Sequence, residues 1–358
     1  AHMRVRSLVP ALGLLATLAP VASAADTPSV TMRGWVDAIA EISDSDADDS
    51  EVTAGFSAEG LIAAKWTVGT KVSGEVAVKF NGDTSYSGDD QETLALAYAD
   101  YAVTDKLTIR GGQSYGPLGY LAAEPTGLNT INGSKIDFQP TYYGPAARGA
   151  ELHFKATEAL TAIFAIYDGS SADADMDLAY VGDVVYAFEK GFVNLEAYYD
   201  VGAVDAKGDI DTGTPGVQLY DEASVFGINL NGEFKPTDPL KLAAEICYKS
   251  MDEDTSLGFL ALANYALATE LPMAVTGMVQ YTQADYDKAS IAKDSDDASI
   301  ADTAPSALSL QAALLTNPTA SSNFGVNFEI GYKSTDSDVK GADEENSYWG
   351  ATEFLLSF

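Results

Sequence analysis

The stretch Phe324-Gly325-Val326-Asn327-Phe328-Glu329-Ile330-Gly331-Tyr332 decides how this chain folds. Successive side chains of an extended backbone point to opposite faces. Phe324, Val326, Phe328, Ile330 and Tyr332 therefore share one face, while Asn327 and Glu329 lie on the other. The theme recurs upstream: Phe226, Ile228, Leu230 and Phe234 oppose Asn229, Asn231 and Glu233, and Val193, Leu195, Ala197 and Tyr199 oppose Asn194, Glu196 and Asp200. Alternation of this kind makes half-apolar strands, without saying which face points inward.

Working outward, period-2 segments bounded by Gly, Asp, Ser or Pro predict strands near 30–42, 52–68, 71–81, 92–104, 106–116, 148–157, 159–168, 177–189, 191–203, 222–235, 240–251, 255–269, 271–284, 305–316, 323–335 and 346–358. The breaks between these sixteen segments alternate between short and mostly long. The short set lies around Gly69-Thr70, Thr104-Asp105, Thr157-Glu158, Lys190-Gly191, Pro236 to Pro239, Glu270-Leu271 and Asn317 to Ser322. The other set is 43–51, 82–91, 117–147, 169–176, 204–221, 252–254, 285–304 and 336–345. An up-and-down barrel with both termini on the turn side produces that rule, and a Greek-key sandwich has no reason to obey it. The expected fold class is thus all-β, a transmembrane antiparallel up-and-down barrel of about 16 strands. Aromatic residues at strand ends (Trp66, Tyr101, Tyr186, Phe188, Phe234, Tyr248, Tyr265, Tyr281 and Tyr332) suit two interfacial girdles.

The N-terminus reads differently. After Ala1-His2, which has the look of a cloning remnant, Met3 precedes the basic residues Arg4 and Arg6, the apolar run Leu8 to Leu18, and Ala22-Ser23-Ala24. These are the three parts of a secretory signal, so 1–24 is expected to be a signal peptide and 25–358 the barrel. No other apolar run approaches the roughly 20 residues of a spanning helix.

Composition narrows the chemistry. A formal charge of -33 would repel phosphate, which excludes nucleic acid as a partner. His2 and His153 are the only histidines and Cys247 the only cysteine, so neither a disulfide scaffold nor a Cys/His zinc cluster is available. The carboxylates gather in the longer breaks, as in Asp44, Asp46, Asp48, Asp49 and Glu51, or Asp336, Asp338, Asp343, Glu344 and Glu345. Such loops keep the surface solvated. They could also bind Ca or Mg loosely, bridging to a lipopolysaccharide-type surface. No resident cofactor is expected.

Two stretches carry a family resemblance. Ser347 to Phe358, with Tyr348, Phe354 and Leu356 in alternation and a terminal Phe358, resembles the closing strand of Gram-negative outer-membrane proteins. The resemblance implies that Phe358 is the signal read by the barrel-assembly machinery. Ala97 to Leu118 is similar to the stretch that leads into the long third loop of general diffusion porins, with Arg110-Gly111 in place of the commoner Gly-Arg order. It implies a water-filled channel in the bacterial outer membrane, surrounded by lipid and lipopolysaccharide, with three barrels associating as a homotrimer.

The longest break, 117–147, differs from its siblings. It has few charges (Glu124, Lys135 and Asp137), four prolines, and the apolar residues Leu118, Leu121, Ile131, Ile136 and Phe138, so it is expected to fold into the lumen. Strand parity then names an inner lining: Arg33, Asp37, Glu59, Lys65, Glu75, Lys79, Arg110, Glu151, His153, Lys155, Asp183, Glu196, Glu233, Glu245, Lys249 and Glu329. A charged side chain on the lipid face costs about 2–4 kcal/mol at the midplane, which favours inward placement. Arg33, Lys65, Lys79 and Arg110 come from the first five strands. Set against Glu124 and Asp137, they would make a transverse field at a constriction, while Asp37, Glu59 and Glu75 share their wall. The surplus of inward carboxylates predicts cation preference. Catalysis is disfavoured, because His153 stands on a strand without a supporting motif. A structural, adhesive or partner-sheathing barrel with a plugged lumen is the alternative. Cys247 is expected to point inward.

Overall fold

The computed structural model describes residues 28–46, 52–82, 92–117, 119–121, 127–133, 147–168, 178–204, 223–251, 254–270, 272–285, 306–316, 324–336 and 345–358. Sixteen strands follow in chain order: β1 (Ser29–Ser45), β2 (Thr53–Val68), β3 (Val72–Gly82), β4 (Glu92–Thr104), β5 (Leu107–Ser114), β6 (Ala147–Lys155), β7 (Leu160–Asp168), β8 (Leu178–Phe188), β9 (Gly191–Val204), β10 (Ala223–Thr237), β11 (Leu240–Met251), β12 (Asp254–Leu267), β13 (Met273–Asp285), β14 (Ser306–Thr316), β15 (Phe324–Asp336) and β16 (Glu345–Ser357). Each pairs antiparallel with its chain neighbours, and β1 pairs with β16 to close the barrel. Closure leaves no open sheet edge, so every strand satisfies its backbone groups against another strand, as a lipid-embedded backbone requires.

The distribution of polarity resolves which face points in. The fully covered side chains include Glu196, Asp200, Glu245, Thr276, Gln280 and Ser309, whereas Val36, Ile62, Phe164, Leu195, Ile228, Ile246, Phe328 and Ile330 are exposed. A water-soluble sandwich would show the reverse. Here the apolar faces make an outer band for lipid and the polar faces line the interior. Tyr101, Tyr186, Phe188, Phe234, Tyr248, Tyr265 and Tyr281 are exposed at the ends of that band, as the girdle reading expects. Trp66 departs from it: the residue is buried, with its ring lying over the in-register Gly74.

Short turns follow local chemistry. Gly69 links β2 to β3 with φ 61, a left-handed conformation that a side chain would strain. The β10–β11 turn lies between Pro236 and Pro239, and the register shifts there between Phe234 and Thr237. At the closing seam Gly34 N donates to Phe358 O, and Phe358 N donates to Gly34 O, both at 2.9 Å. The ring of Phe358 occupies the space where a Cβ on Gly34 would sit. At the opposite end of the seam Asp46 accepts from Asn346 N at 2.6 Å and from Asn346 Nδ2 at 2.8 Å.

Candidate functional site

The inner wall divides into two differently used halves. On β1 to β5 the inward bases Arg33, Lys65, Lys79 and Arg110 each meet a carboxylate of the wall itself, whereas on β6 Arg148 bonds to Gln113 and Lys155 to Glu158 of the following turn. Arg33 reaches Glu75 at 2.7 Å across β2, passing the small side chain of Ala63, its register partner. Lys65, directly opposite Glu75, is 3.7 Å from the same carboxylate, and Tyr98 OH donates to it at 3.2 Å. Lys79 pairs with Glu59 at 2.7 Å and lies 5.9 Å from the centre of the Trp35 ring. Arg110 sits in register between Asp100 on β4 and Glu151 on β6, at 2.7 Å and 3.7 Å respectively, and stacks 4.0 Å from the Tyr98 ring. Glu151 also accepts from Ser114, the last residue of β5, and its other oxygen is 2.6 Å from His153 Nε2.

On β9 to β15 the wall carboxylates hold the inner loop. Gly119 N donates to Glu196 at 2.8 Å, Tyr120 N to Glu245 at 3.2 Å, and Tyr120 OH to Glu233 at 3.0 Å. Tyr120 and Leu121 pack on a buried apolar patch of Ala243, Cys247, Leu260, Leu262 and Met278. Further along, Ile131 N and Asn132 N donate to Glu329 Oε2 at 2.8 and 3.3 Å, and Asn132 Nδ2 donates to Glu329 Oε1 at 2.9 Å. Gln311 Nε2 binds Asn132 O at 3.0 Å, Lys241 Nζ binds Asn129 Oδ1 at 2.5 Å, and Trp349 Nε1 donates to Glu329 Oε1 at 3.0 Å. The described part of the third loop thus enters the lumen from β5 and bonds to the interior faces of β9, β10, β11, β14 and β15. A buried carboxylate needs donors to replace water, and backbone amides supply them here.

The inward faces carry most of the residues that strand parity names, while Lys155 bonds to Glu158 of the following turn. Arg33, Asp37, Glu59, Lys65, Glu75, Lys79, Arg110, Glu151, His153, Asp183, Glu196, Glu233, Glu245 and Glu329 all lie on the inward faces, and Cys247 is buried there too. Glu124 and Asp137 lie outside the described residues, as do most of the acidic loop positions. The four bases bond to Glu75, Glu59, Asp100 and Glu151 on their own wall. Sequence reading passed over Asp100 and Glu353. Parity carried the signal for both, since the next residues, Tyr101 and Phe354, face out. It also missed Asn132, whose anchoring role depends on a loop path with no periodic trace. Among the described residues no group of three or more His, Cys, Asp or Glu side chains is placed to hold a metal ion.

Comparison with known proteins gives one consistent result. No family model matches the chain, and no curated protein matches it by sequence. Solved structures match the fold over nearly the whole length. The outer membrane channel DcaP of Acinetobacter baumannii is similar at 14% identity and a TM-score of 0.63, covering 94% of this chain and 99% of its own. OprB of Pseudomonas putida matches at 10% identity and 0.63, covering 97% and 96%. The trimer form of OmpT, an outer membrane protein of Vibrio cholerae, matches at 12% identity and 0.61, covering 92% and 100%. Outer band, closed topology and these likenesses together give the chain the fold of the sixteen-stranded barrels of the bacterial outer membrane.

Proposed function

We propose that the barrel is a water-filled channel of the general diffusion porin kind, passing small hydrophilic solutes and ions with a preference for cations. One observation carries the reading: charged and amide side chains line the interior of a closed barrel, and the third loop is bonded to that lining through Glu196, Glu245 and Glu329. An inner loop held this way narrows the lumen at a fixed height. Inward carboxylates such as Asp37 and Asp183 stand beyond those in salt bridges with Arg33, Lys65, Lys79 and Arg110, which supports the cation preference. The A. baumannii protein is an outer membrane channel, which supports the transport reading, and the trimer form of OmpT supports association as a homotrimer.

Further parts of the proposal are removal of residues 1–24 as a signal peptide, recognition of Phe358 by the assembly machinery, and contact with lipopolysaccharide through divalent ions at the acidic loops. The channel does no catalysis. The test is single-channel recording of the purified barrel in planar bilayers, with the reversal potential measured in a salt gradient. Discrete conductance steps with a reversal potential of cation-selective sign are expected. Folded barrel that inserts without conducting would overturn the reading and favour the plugged, structural alternative.

A further inference from the structure

We propose that the inner loop staples the closing seam of the barrel through Asn132, a positioning residue that couples docking of the loop to closure of the sheet. The coupling is independent of whether the barrel conducts. The two ends of the seam are fastened by its own strands, through the Gly34–Phe358 backbone pair at one end and the bonds of Asp46 with Asn346 at the other. Between those ends Glu41 of β1 is the register partner of Ala351 of β16, which is in turn the partner of Glu329 of β15. One row across three strands therefore carries two carboxylates with only a methyl group between them.

Asn132 crosses that row. Its Nδ2 donates to Glu329 Oε1 at 2.9 Å and to Glu41 Oε2 at 3.2 Å. A carboxamide nitrogen carries two hydrogens, one for each acceptor. The strands bearing the two acceptors lie either side of β16, roughly 10 Å apart at the usual strand spacing. Ala351 is buried between them, and its side chain is short enough for the amide to reach both neighbours. The rest of Asn132 is tied down as well: its N–H donates to Glu329 Oε2 at 3.3 Å, and its carbonyl accepts from Gln311 Nε2 of β14 at 3.0 Å. From β16 itself, Trp349 Nε1 donates to the Glu329 oxygen that Asn132 Nδ2 uses. One loop residue thus bonds to β14, β15 and β1, spanning the last strand of the chain.

The physical need for a tie is greatest here. Closure pairs the first strand with the last, the contact of longest loop in the chain and so the one with the largest entropic cost. Two carboxylates in one row also repel each other, and a donor shared between them turns that repulsion into a bridge. Asn132 completes its bonds only when β1 and β15 both stand beside β16. The aperture is consequently set in a barrel whose seam is closed, and a loop that leaves the wall takes the tie across the middle of the seam with it.

The experiment measures amide hydrogen exchange of the purified full chain in detergent micelles for the parent, Asn132→Ala, Glu41→Ala and the double variant. Ladder bonds of an antiparallel pair recur every second residue, so counting from the Gly34–Phe358 pair puts those flanking the staple at Ala40–Thr352 and Ile42–Gly350. These four amides are read against Leu195 and Leu230 on the far wall, in β9 and β10. Exchange about tenfold faster at the seam is expected in both single variants, the factor for losing one hydrogen bond to a charged group, with no change at Leu195 and Leu230. The double variant should exchange at the seam no faster than Asn132→Ala, and Glu41→Gln, which keeps an acceptor, should restore most of the protection. Should Asn132→Ala yield no folded barrel, Glu41→Ala carries the same test, because it leaves the loop its bonds to Glu329. Seam amides at the parent's rate in Asn132→Ala while Ile131 exchanges faster would show a docked loop that staples nothing and overturn the proposal. Acceleration spread equally over Leu195 and Leu230 would overturn it too, as general loosening of the sheet.

Discussion

Arg110 shows how much of the wall's electrostatics is settled between neighbouring strands. It stands in register between two carboxylates, Asp100 and Glu151. Arg110→Ala removes the only base of that row and leaves like charges facing one another. A stronger cation preference is expected, read as a shift of reversal potential toward the cation limit. Glu329 is the complementary case, a carboxylate whose partners are amide and indole donors of the loop and wall. Glu329→Ala takes the carboxylate from the Ile131 and Asn132 amides, at about 1–3 kcal/mol for each buried donor left unsatisfied. Faster amide exchange at Ile131 and noisier open-channel current are expected, and Glu329→Gln should restore part of both because it keeps an acceptor.

At the scale of elements, the seam between β1 and β16 carries two predictions. Outside the strands, Asp46 accepts from the backbone and then the side chain of Asn346, and these bonds hold its carboxyl below the usual value of 3.8. A lowered folded value means the contribution is complete above that usual value and is lost as pH falls through the lower one. The Asn346 amide should therefore exchange faster below about pH 4 in the parent, and Asp46→Ala should show that faster exchange at every pH. At the other end, deleting Phe358 empties the seat over Gly34 and removes both backbone bonds of the closing pair. Reduced heat-modifiable barrel with undiminished export is expected on gel assay. Strand limits were legible to within about three residues, because a membrane face enforces period 2 along the strand. Register was not. Arg33 and Glu75 are 42 residues apart and meet only once β2 has been laid between them. The bulge between Ala77 and Val78 left no mark in the alternation that could be read in advance.

For the whole molecule, the acid-rich composition and the lumen act over different distances. The reach of the charge carried by the acid-rich breaks depends on salt, because the screening length in water falls from about 30 Å at 0.01 M to about 10 Å at 0.1 M. Cation preference should accordingly be largest in dilute salt and fall toward the value set by the wall, as reversal potentials at several mean concentrations would show. Anion preference in dilute salt would contradict this. The loop itself was legible as an outlier, being long and poor in charge, but its anchors were not, since backbone amides leave no signature in the letters of a sequence. That same property has an evolutionary consequence. Gly119, Tyr120, Ile131 and Asn132 are held at the wall by main-chain N–H groups, which every residue except proline possesses. Mutation can therefore rewrite much of the loop's side-chain surface, and with it the aperture's filter, while Glu196, Glu245 and Glu329 keep the chain on the same track.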